Sequence, residues 1–361
     1  MFSSADHAYM SQALQLAEKG LYSTSPNPRV GCVIVHDSQV VGSGWHVSAG
    51  QPHAEINALD AAGTVARGAT VYLTLEPCSH HGHTPPCVEA LVKAKVAKVI
   101  IAMQDPNPLV EGKGLLLLKR SKIKVQIGLM KAEAEELNIG FVTRMRYNRP
   151  WVRMKIAASL DGKIALNNGS SQWITGEAAR SDGHRFRARS CAVLTGIGTV
   201  LADDPQLTAR LVETSRQPLK VIVDRHLEIP INAKILQGDG ELIFTAGASE
   251  ERLIALSNAG ARPILLPDEK GNVALTKMIQ TLATFEINEV LIEAGSRLNG
   301  SLIRAKLVDE LVIYLAPHFI GDAAQSMLNL PELTSLSEKY KLKIQDLSMV
   351  GQDIRIIARF L

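Results

Sequence analysis

Short apolar runs rich in valine and isoleucine alternate with stretches of helical periodicity along most of this chain. The first run, Val30-Gly31-Cys32-Val33-Ile34-Val35, leads through a short polar turn to Val40-Val41. Residues 70–75 and 99–102 have the length and β-branched content of further buried strands. The spacing predicts helices over residues 5–19, 53–62, 86–94 and 131–146. The first opens with Ser3 and Asp6 in a capping arrangement and meets a stop at Gly20. Strands alternating with helices in this way predict a layered α/β domain.

A charged helix ends near Tyr147-Asn148-Arg149-Pro150, and a second series of strands begins at Trp151-Val152-Arg153-Met154-Lys155-Ile156. It continues through residues 191–194, 219–223, 242–244, 289–292, 311–315 and 354–358, with helices between several of them. At 361 residues the chain is long for one core. Two α/β domains are expected, over residues 1–146 and 147–361.

A net charge of +3 and 4% aromatic residues do not supply the basic, stacking surface of a nucleic-acid binder. The basic run Lys119-Arg120-Ser121-Lys122-Ile123-Lys124 has no aromatic beside it and reads as a solvated turn before a strand. Met1-Phe2-Ser3-Ser4-Ala5-Asp6 lacks the basic start and apolar run of a signal peptide. No apolar run approaches the roughly 18 residues that cross a bilayer. No membrane association and a cytoplasmic location are therefore expected. In that setting Cys32 and Cys191, within apolar strands, read as core, and Cys78 and Cys87 read as metal ligands.

The strongest chemical signal is His53-Ala54-Glu55 followed by Pro77-Cys78 and then Cys87. One imidazole and two thiolates leave a tetrahedral Zn2+ one position open for water, whose pKa the metal lowers. Glu55, two residues past the ligand, is placed to carry protons without binding metal, as in zinc nucleobase deaminases. His53 starts an expected helix, Cys78 follows a strand, and Cys87 comes where Pro86 favours a helix start. Two helix N-termini facing the thiols would favour thiolates. A closed structural site, with His80, His81 or His83 as fourth ligand, has compatible spacing but gives Glu55 no task.

In the second half no G-x-G-x-x-G follows a strand. Thr195-Gly196-Ile197-Gly198-Thr199 has Leu201 where the third glycine belongs, so a Rossmann domain is unsupported. The strand ending at Glu293 passes through Ala294-Gly295-Ser296-Arg297-Leu298-Asn299-Gly300 into a helix, a pattern suited to a phosphate or to plain turn chemistry.

These motifs resemble the bifunctional riboflavin biosynthesis proteins over nearly the whole chain. In the first half the likeness rests on Pro26-Asn27-Pro28-Arg29-Val30-Gly31, His53-Ala54-Glu55, Glu76-Pro77-Cys78-Ser79-His80-His81-Gly82-His83-Thr84-Pro85-Pro86-Cys87, Asp105-Pro106-Asn107-Pro108 and Gly112-Lys113-Gly114. Eight residues between the cysteines, not two, separate this family from cytidine and tRNA-adenosine deaminases. The family usually has arginine where this chain has His83. In the second half it rests on Lys155 with Ala157-Ala158-Ser159-Leu160-Asp161-Gly162-Lys163, Ser170-Ser171-Gln172-Trp173-Ile174-Thr175, Arg187-Ala188-Arg189, Gly198-Thr199-Val200-Leu201-Ala202-Asp203-Asp204-Pro205, Leu207-Thr208 with Arg210, and the loop from Glu293 to Gly300.

The resemblance implies a cytidine-deaminase-like N-terminal α/β domain and a dihydrofolate-reductase-like C-terminal one. It implies zinc-dependent hydrolytic deamination of a pyrimidine nucleotide, 2,5-diamino-6-(5-phosphoribosylamino)pyrimidin-4-one, followed by NADPH-dependent reduction of its ribosyl chain to ribityl. It implies metal ligands at His53, Cys78 and Cys87, Glu55 as the proton carrier, and a substrate contact at Asn27, held on a proline-flanked turn. Cofactor contacts are implied at Ala157, Trp173, Thr199, Asp203 and at Gly295, Ser296, Arg297, Leu298, Asn299, Gly300 and Ser301. Substrate contacts are implied at Ser171, Arg187, Leu207, Arg210 and Glu293, the arginines gripping phosphate and Glu293 accepting from ribose or pyrimidine donors. Lys155 reads equally as a site residue or an ion-paired strand lysine. A homo-oligomer is expected. The alternatives are a nucleotide-sensing C-terminal domain without turnover, and a binding scaffold whose zinc is structural.

Overall fold

Ser3 and Asp6 cap the first helix reciprocally: Asp6 N–H donates to Ser3 Oγ at 3.1 Å, and Ser3 N–H to Asp6 Oδ2 at 2.8 Å. From that start α1 runs over Ser4–Glu18. The computed structural model describes residues 1–79, 86–238 and 240–361, which divide into two units, Met1–Asn148 and Arg149–Leu361.

In the first unit α1 is followed by β1 (Gly31–His36), β2 (Gln39–Trp45), α2 (Ala54–Ala62), β3 (Thr70–Leu75), α3 (Cys87–Lys93), β4 (Lys98–Met103), α4 (Lys113–Arg120), β5 (Lys124–Ile127), α5 (Lys131–Leu137) and α6 (Ile139–Tyr147). The strands form one sheet in the order β2-β1-β3-β4-β5, with β1 antiparallel to both neighbours and β3, β4 and β5 parallel. Successive side chains on a strand face opposite ways, and here both faces are apolar. Cys32, Ile34, Val71, Leu73, Val99 and Ile101 pack toward Ala54 and Ala58 of α2, Leu91 of α3 and Leu118 of α4. Val33, Val35, Tyr72, Ile100 and Ala102 pack toward Met10 and Leu14 of α1, Ala134 of α5 and Val142 of α6. Cys32 is fully buried, as expected of a core thiol.

The single helix expected over residues 131–146 is two, because Asn138 interrupts it at φ −107° and ψ 22°. Its side chain is turned to the backbone of Arg29 instead: Arg29 N–H donates to Oδ1 at 2.7 Å, and Nδ2 donates to Arg29 O at 2.9 Å. A side chain that satisfies a distant buried backbone competes with helix continuity. Pro86 caps α3 from outside, rather than sitting within its first turn.

The second unit holds β6 (Trp151–Ser159), β7 (Lys163–Ala165), α7 (Glu177–Arg189), β8 (Ala192–Gly196), α8 (Ile197–Asp203), β9 (Leu219–Val223), β10 (Leu242–Thr245), α9 (Glu250–Asn258), β11 (Arg262–Leu265), α10 (Leu275–Thr284), β12 (Glu289–Ile292), α11 (Ser296–Arg304), β13 (Glu310–Ala316), β14 (Gln325–Ser326), β15 (Leu342–Val350) and β16 (Asp353–Phe360). Nine strands form a sheet ordered β11-β10-β9-β8-β12-β6-β13-β16-β15, while β14 pairs with β7. From β11 to β13 all neighbours are parallel; β16 and β15 close the sheet antiparallel. Val152, Met154, Val290 and Ile292 pack with α10 and α11 on one face, and Val193, Ile222, Ile243 and Leu291 pack with α8 and α9 on the other. The parallel strands thus end at a common edge, where α8 and α11 begin.

Replacing Asn138 with Ala leaves the buried N–H and C=O of Arg29 without their partners. We expect a loss of about 2 kcal/mol or more, read as a lower urea midpoint at unchanged slope.

Candidate active sites

In the first unit two helix starts and one strand end meet. His53 is the N-cap residue of α2, Cys87 is the first residue of α3, and Cys78 lies three residues beyond β3. His53 Nδ1 stands 3.2 Å from Cys87 Sγ and 3.6 Å from Cys78 Sγ, and the three ligand atoms lie within 4.8 Å of one another. The backbone N–H of Cys87 donates to Cys78 Sγ at 3.3 Å. Hydrogen bonding from Cys87, and then from His53, pulls the Cys78 thiol down to about 4. The Cys87 thiol, which keeps the proton it donates, is pushed up. One nitrogen and two sulfurs converging at this spacing fit Zn2+. His80, His81 and His83, the expected rivals as ligands, lie outside the described residues, as does the departure from arginine at His83.

Glu55, in the first turn of α2, is 3% exposed. Burial, and then the negative charge of Cys78, raise its carboxyl to about 7. A carboxyl group poised there holds or releases a proton near neutral pH.

Asn27 stands on the turn after α1, where its Nδ2 meets His46 Nε2 at 3.0 Å. His46 Nδ1 lies 3.2 Å from Pro52 O, which only accepts, so Nδ1 carries the ring proton. Nε2 is then the acceptor, and Asn27 Oδ1 has no hydrogen-bond partner among the described residues. The His46 ring also meets that of His53 edge-on, with centroids 5.3 Å apart. Sequence reasoning did not single out His46: it carries no motif, and only the fold brings it to Asn27.

Glu76, one residue of the motif that holds Cys78, organises the loop beside the thiols. Its Oε2 accepts from Asp105 N at 3.2 Å and Gly112 N at 3.1 Å, and its Oε1 from Gly114 N at 3.0 Å and Leu115 N at 3.3 Å. Gly112 caps α4 in the left-handed region at φ +75°, and a Cβ on Gly114 would lie 2.4 Å from Pro77 O. The motif Gly112-Lys113-Gly114 is explained by this approach.

In the second unit a cavity of about 1420 Å³ opens at the carboxyl ends of the parallel strands. That exceeds the roughly 300–1,000 Å³ of one small-ligand pocket, giving room for a cofactor and a substrate together. Ala157, Trp173, Thr199, Asp203, Gly295, Ser296, Arg297, Leu298 and Asn299 line it, with Ser171, Arg187, Leu207, Arg210 and Glu293. Gly300 and Ser301 do not line it. A Cβ on Gly300 would lie 1.9 Å from Asn329 O, and Ser301 Oγ donates to Arg297 O at 3.0 Å. Both lie beyond the first turn of α11, past its free N–H groups.

Arg187 and Glu293 are paired with each other. Arg187 Nε and Nη2 donate to the two oxygens of Glu293 at 2.5 and 2.9 Å, and Nη1 donates to Thr208 O at 3.1 Å. Three of the five N–H groups of the fork expected to grip phosphate are thus turned to a carboxylate and a carbonyl. Lys155 Nζ lies 3.6 Å from Glu293 Oε2, so it is both ion-paired and at the site. Burial would raise Glu293, but Arg187 and then Lys155 outweigh it and hold the carboxyl at about 2. Ser171 Oγ donates to Asp203 Oδ1 at 3.0 Å, tying two cavity walls together. Asn299 is buried, its Nδ2 donates to Ala294 O at 3.1 Å, and its Oδ1 has no partner among the described residues. With the first-turn N–H groups of α11, that orphaned oxygen fits a cofactor's polar arm.

A metal-dependent pyrimidine deaminase joined to a nicotinamide-dependent reductase is the class these two sites define. Residues 3–103 match the profile of the cytidine and deoxycytidylate deaminase zinc-binding region, and residues 150–356 that of the RibD C-terminal domain. Riboflavin biosynthesis protein RibD of Escherichia coli K12 is 45% identical, over 97% of this chain and 98% of its own. That of Haemophilus influenzae is 44% identical, over 98% and 97%. Among solved structures, Acinetobacter baumannii RibD superposes with TM-score 0.91 at 44% identity, covering 99% of both chains. The diaminohydroxyphosphoribosylaminopyrimidine deaminase/5-amino-6-(5-phosphoribosylamino)uracil reductase of Thermotoga maritima superposes with TM-score 0.86 at 31% identity, also covering 99% of both. The chain belongs to the RibD family, the bifunctional deaminase/reductases of riboflavin biosynthesis. The fold is a cytidine-deaminase-like domain followed by a RibD reductase domain, and the cofactors are Zn2+ and NADPH. Family membership sets aside the sensor and scaffold readings.

Replacing Glu76 with Gln substitutes a donor for one of its oxygens, facing two N–H groups with an NH2. We expect about 3 kcal/mol lower stability, read by urea denaturation, with zinc still bound at low denaturant.

Proposed function

We propose that residues 1–146 carry the deamination and residues 147–361 the reduction, each on the side chains described above. The observation that carries the first assignment is a buried glutamate, Glu55, beside an imidazole and two thiols held within 4.8 Å. His53, Cys78 and Cys87 would hold the zinc, which supplies a hydroxide nucleophile when bound. Glu55 takes a proton from the attacking water and delivers it to the departing amine, a relay suited to a carboxyl raised to about 7. Asn27 offers Oδ1 to a donor on the pyrimidine edge, its amide oriented by His46.

In the second unit NADPH would supply the hydride when bound. Ala157, Trp173, Thr199, Asp203 and the turn from Gly295 to Asn299 hold the cofactor. Ser171, Leu207, Arg210 and Glu293 hold the nucleotide; Glu293, ionised and fixed by Arg187, accepts from ribose hydroxyls or pyrimidine N–H groups. Arg187 acts through Glu293 as a positioning residue.

We also assign the chain to the cytoplasm and to a homo-oligomer. Metal-binding thiols favour a reducing compartment, and among the described residues no helix is long and apolar enough to cross a membrane. Self-association is supported by β15, an edge strand of the nine-stranded sheet on which Ile344, Leu347 and Met349 are 59%, 64% and 63% exposed. An open apolar edge is a template for pairing with another copy.

Glu55→Gln is expected to keep about one zinc per chain by elemental analysis while ammonia release falls about 10³-fold; unchanged release would remove the proton-relay assignment. Ile344→Lys with Leu347→Lys is expected to shift the chain to monomer in analytical ultracentrifugation, with the full-length protein still folded by circular dichroism. An unshifted sedimentation coefficient refutes the β15 interface.

A further inference from the structure

We propose that His184 is a further substrate-binding residue of the reductase, donating its Nε2–H to the phosphate end of the nucleotide. The proposal rests on the reading of the second-unit cavity as the reductase site. His184 lies on α7, three residues before Arg187, and its buried ring lines the cavity. The backbone N–H of Arg210 donates to His184 Nδ1 at 3.0 Å. A backbone N–H only donates, so Nδ1 holds the lone pair and Nε2 holds the hydrogen. Nε2 has no partner among the described residues and is not sealed from solvent, so it is a donor open to the cavity.

The neighbouring charges say which part of the nucleotide it meets. Glu293, held by Arg187 and Lys155, is an acceptor and takes the donors of ribose or base. Arg210 is different: its Nη1 donates to Gln206 Oε1 at 2.9 Å and Thr208 Oγ1 at 3.1 Å, both neutral. Among the described residues it has no carboxylate partner, so its charge is left for an anion. One residue thus offers a cation through its side chain and fixes the His184 tautomer through its backbone. Phosphate is the part of the substrate that takes both. Burial, then Arg187 and Arg210, hold the imidazole down to about 4, so the donor is neutral and present at working pH.

The bland role for His184 is to pin the Arg210 backbone, and His184→Asn separates the two. An Asn Oδ1 still accepts from Arg210 N–H, but no group reaches where Nε2–H stood; His184→Gln restores that donor. The full-length protein is assayed with the deaminated nucleotide and with the same compound lacking its 5′-phosphate. For His184→Asn the nucleotide KM is expected to rise about tenfold, with kcat and NADPH dissociation constant within about twofold, and His184→Gln is expected to recover most of the loss. The dephosphorylated compound is expected to react equally with wild type and His184→Asn. An unchanged nucleotide KM overturns the proposal, as does an equal loss on both compounds or a parallel loss of NADPH binding that His184→Gln does not repair. Arg210→Ala, run alongside, separates this from failure of the cavity reading. If it raises KM while His184→Asn does not, only His184 is reassigned; if neither does, the cavity is not the nucleotide site.

Discussion

Removing a carboxylate from water is costly unless something nearby replaces the water, and the two sites of this chain are two answers to that cost. Glu55 is enclosed beside Cys78, a neighbour of like charge, and its carboxyl rises to about 7. Glu293 is enclosed beside Arg187 and Lys155, and its carboxyl falls to about 2. The first can hold or release a proton near neutral pH because its ionised form is not stabilised. The second is a fixed anion because its ionised form is. Residue type and burial are shared; the neighbours decide the chemistry.

The same cost explains why each site sits at strand ends beside helix starts. Backbone N–H groups of a first helical turn have no partner within the helix and serve charged or electron-rich groups. Cys87 N–H serves Cys78, and the N–H groups of Gly114 and Leu115 at the start of α4 serve Glu76. The first turn of α11 lines the second cavity, and Asn299 Oδ1 beside it has no partner among the described residues. Both oxygens of Glu76 accept from backbone N–H groups, so the carboxylate shapes the loop next to the thiols.

Much of this was legible where the chemistry is local in sequence. The spacing of His53 and Glu55 encodes a cap residue and a first-turn acid, and Ser3 with Asp6 encodes a helix start. Apolar runs marked every strand buried on both faces. The strand β15 was not legible, because its apolar residues are exposed and their alternation slips by one residue at the irregularity between Ile344 and Asp346. Asn138 read as one more polar helix residue, since its partner, the Arg29 backbone, is 109 positions away. His46, His184 and the pairing of Arg187 with Glu293 were hidden for the same reason: each depends on a contact made only after folding. Gly300 and Ser301 followed the run of a motif past the point where the helix turns its residues away from the cavity.

The position of Glu293 depends on register, and the register is held by charge. On β6 Arg153 and Lys155 share a face, as Glu289 and Leu291 share one on β12, while Val152, Met154, Val290 and Ile292 face the core packed by α10 and α11. Pairing of Glu289 with Trp151 and of Ile292 with Met154 brings Glu293, the next residue, opposite Lys155. Arg153, 2% exposed, bonds Glu289 of β12 at 3.0 Å and also pairs with Glu310 of β13. Arg189 and Arg359 complete the two carboxylates from α7 and β16, at 2.7 and 2.9 Å. A slip of one residue would turn these charges into the core under α10 and α11, away from their partners. Uncovering one buried charge costs about 3–5 kcal/mol, so a slip that strands several of them at once is strongly disfavoured. Arg153 does not line the cavity, yet its pairing fixes which residue stands opposite Lys155, and through that the place of the Glu293 anion in the cavity wall.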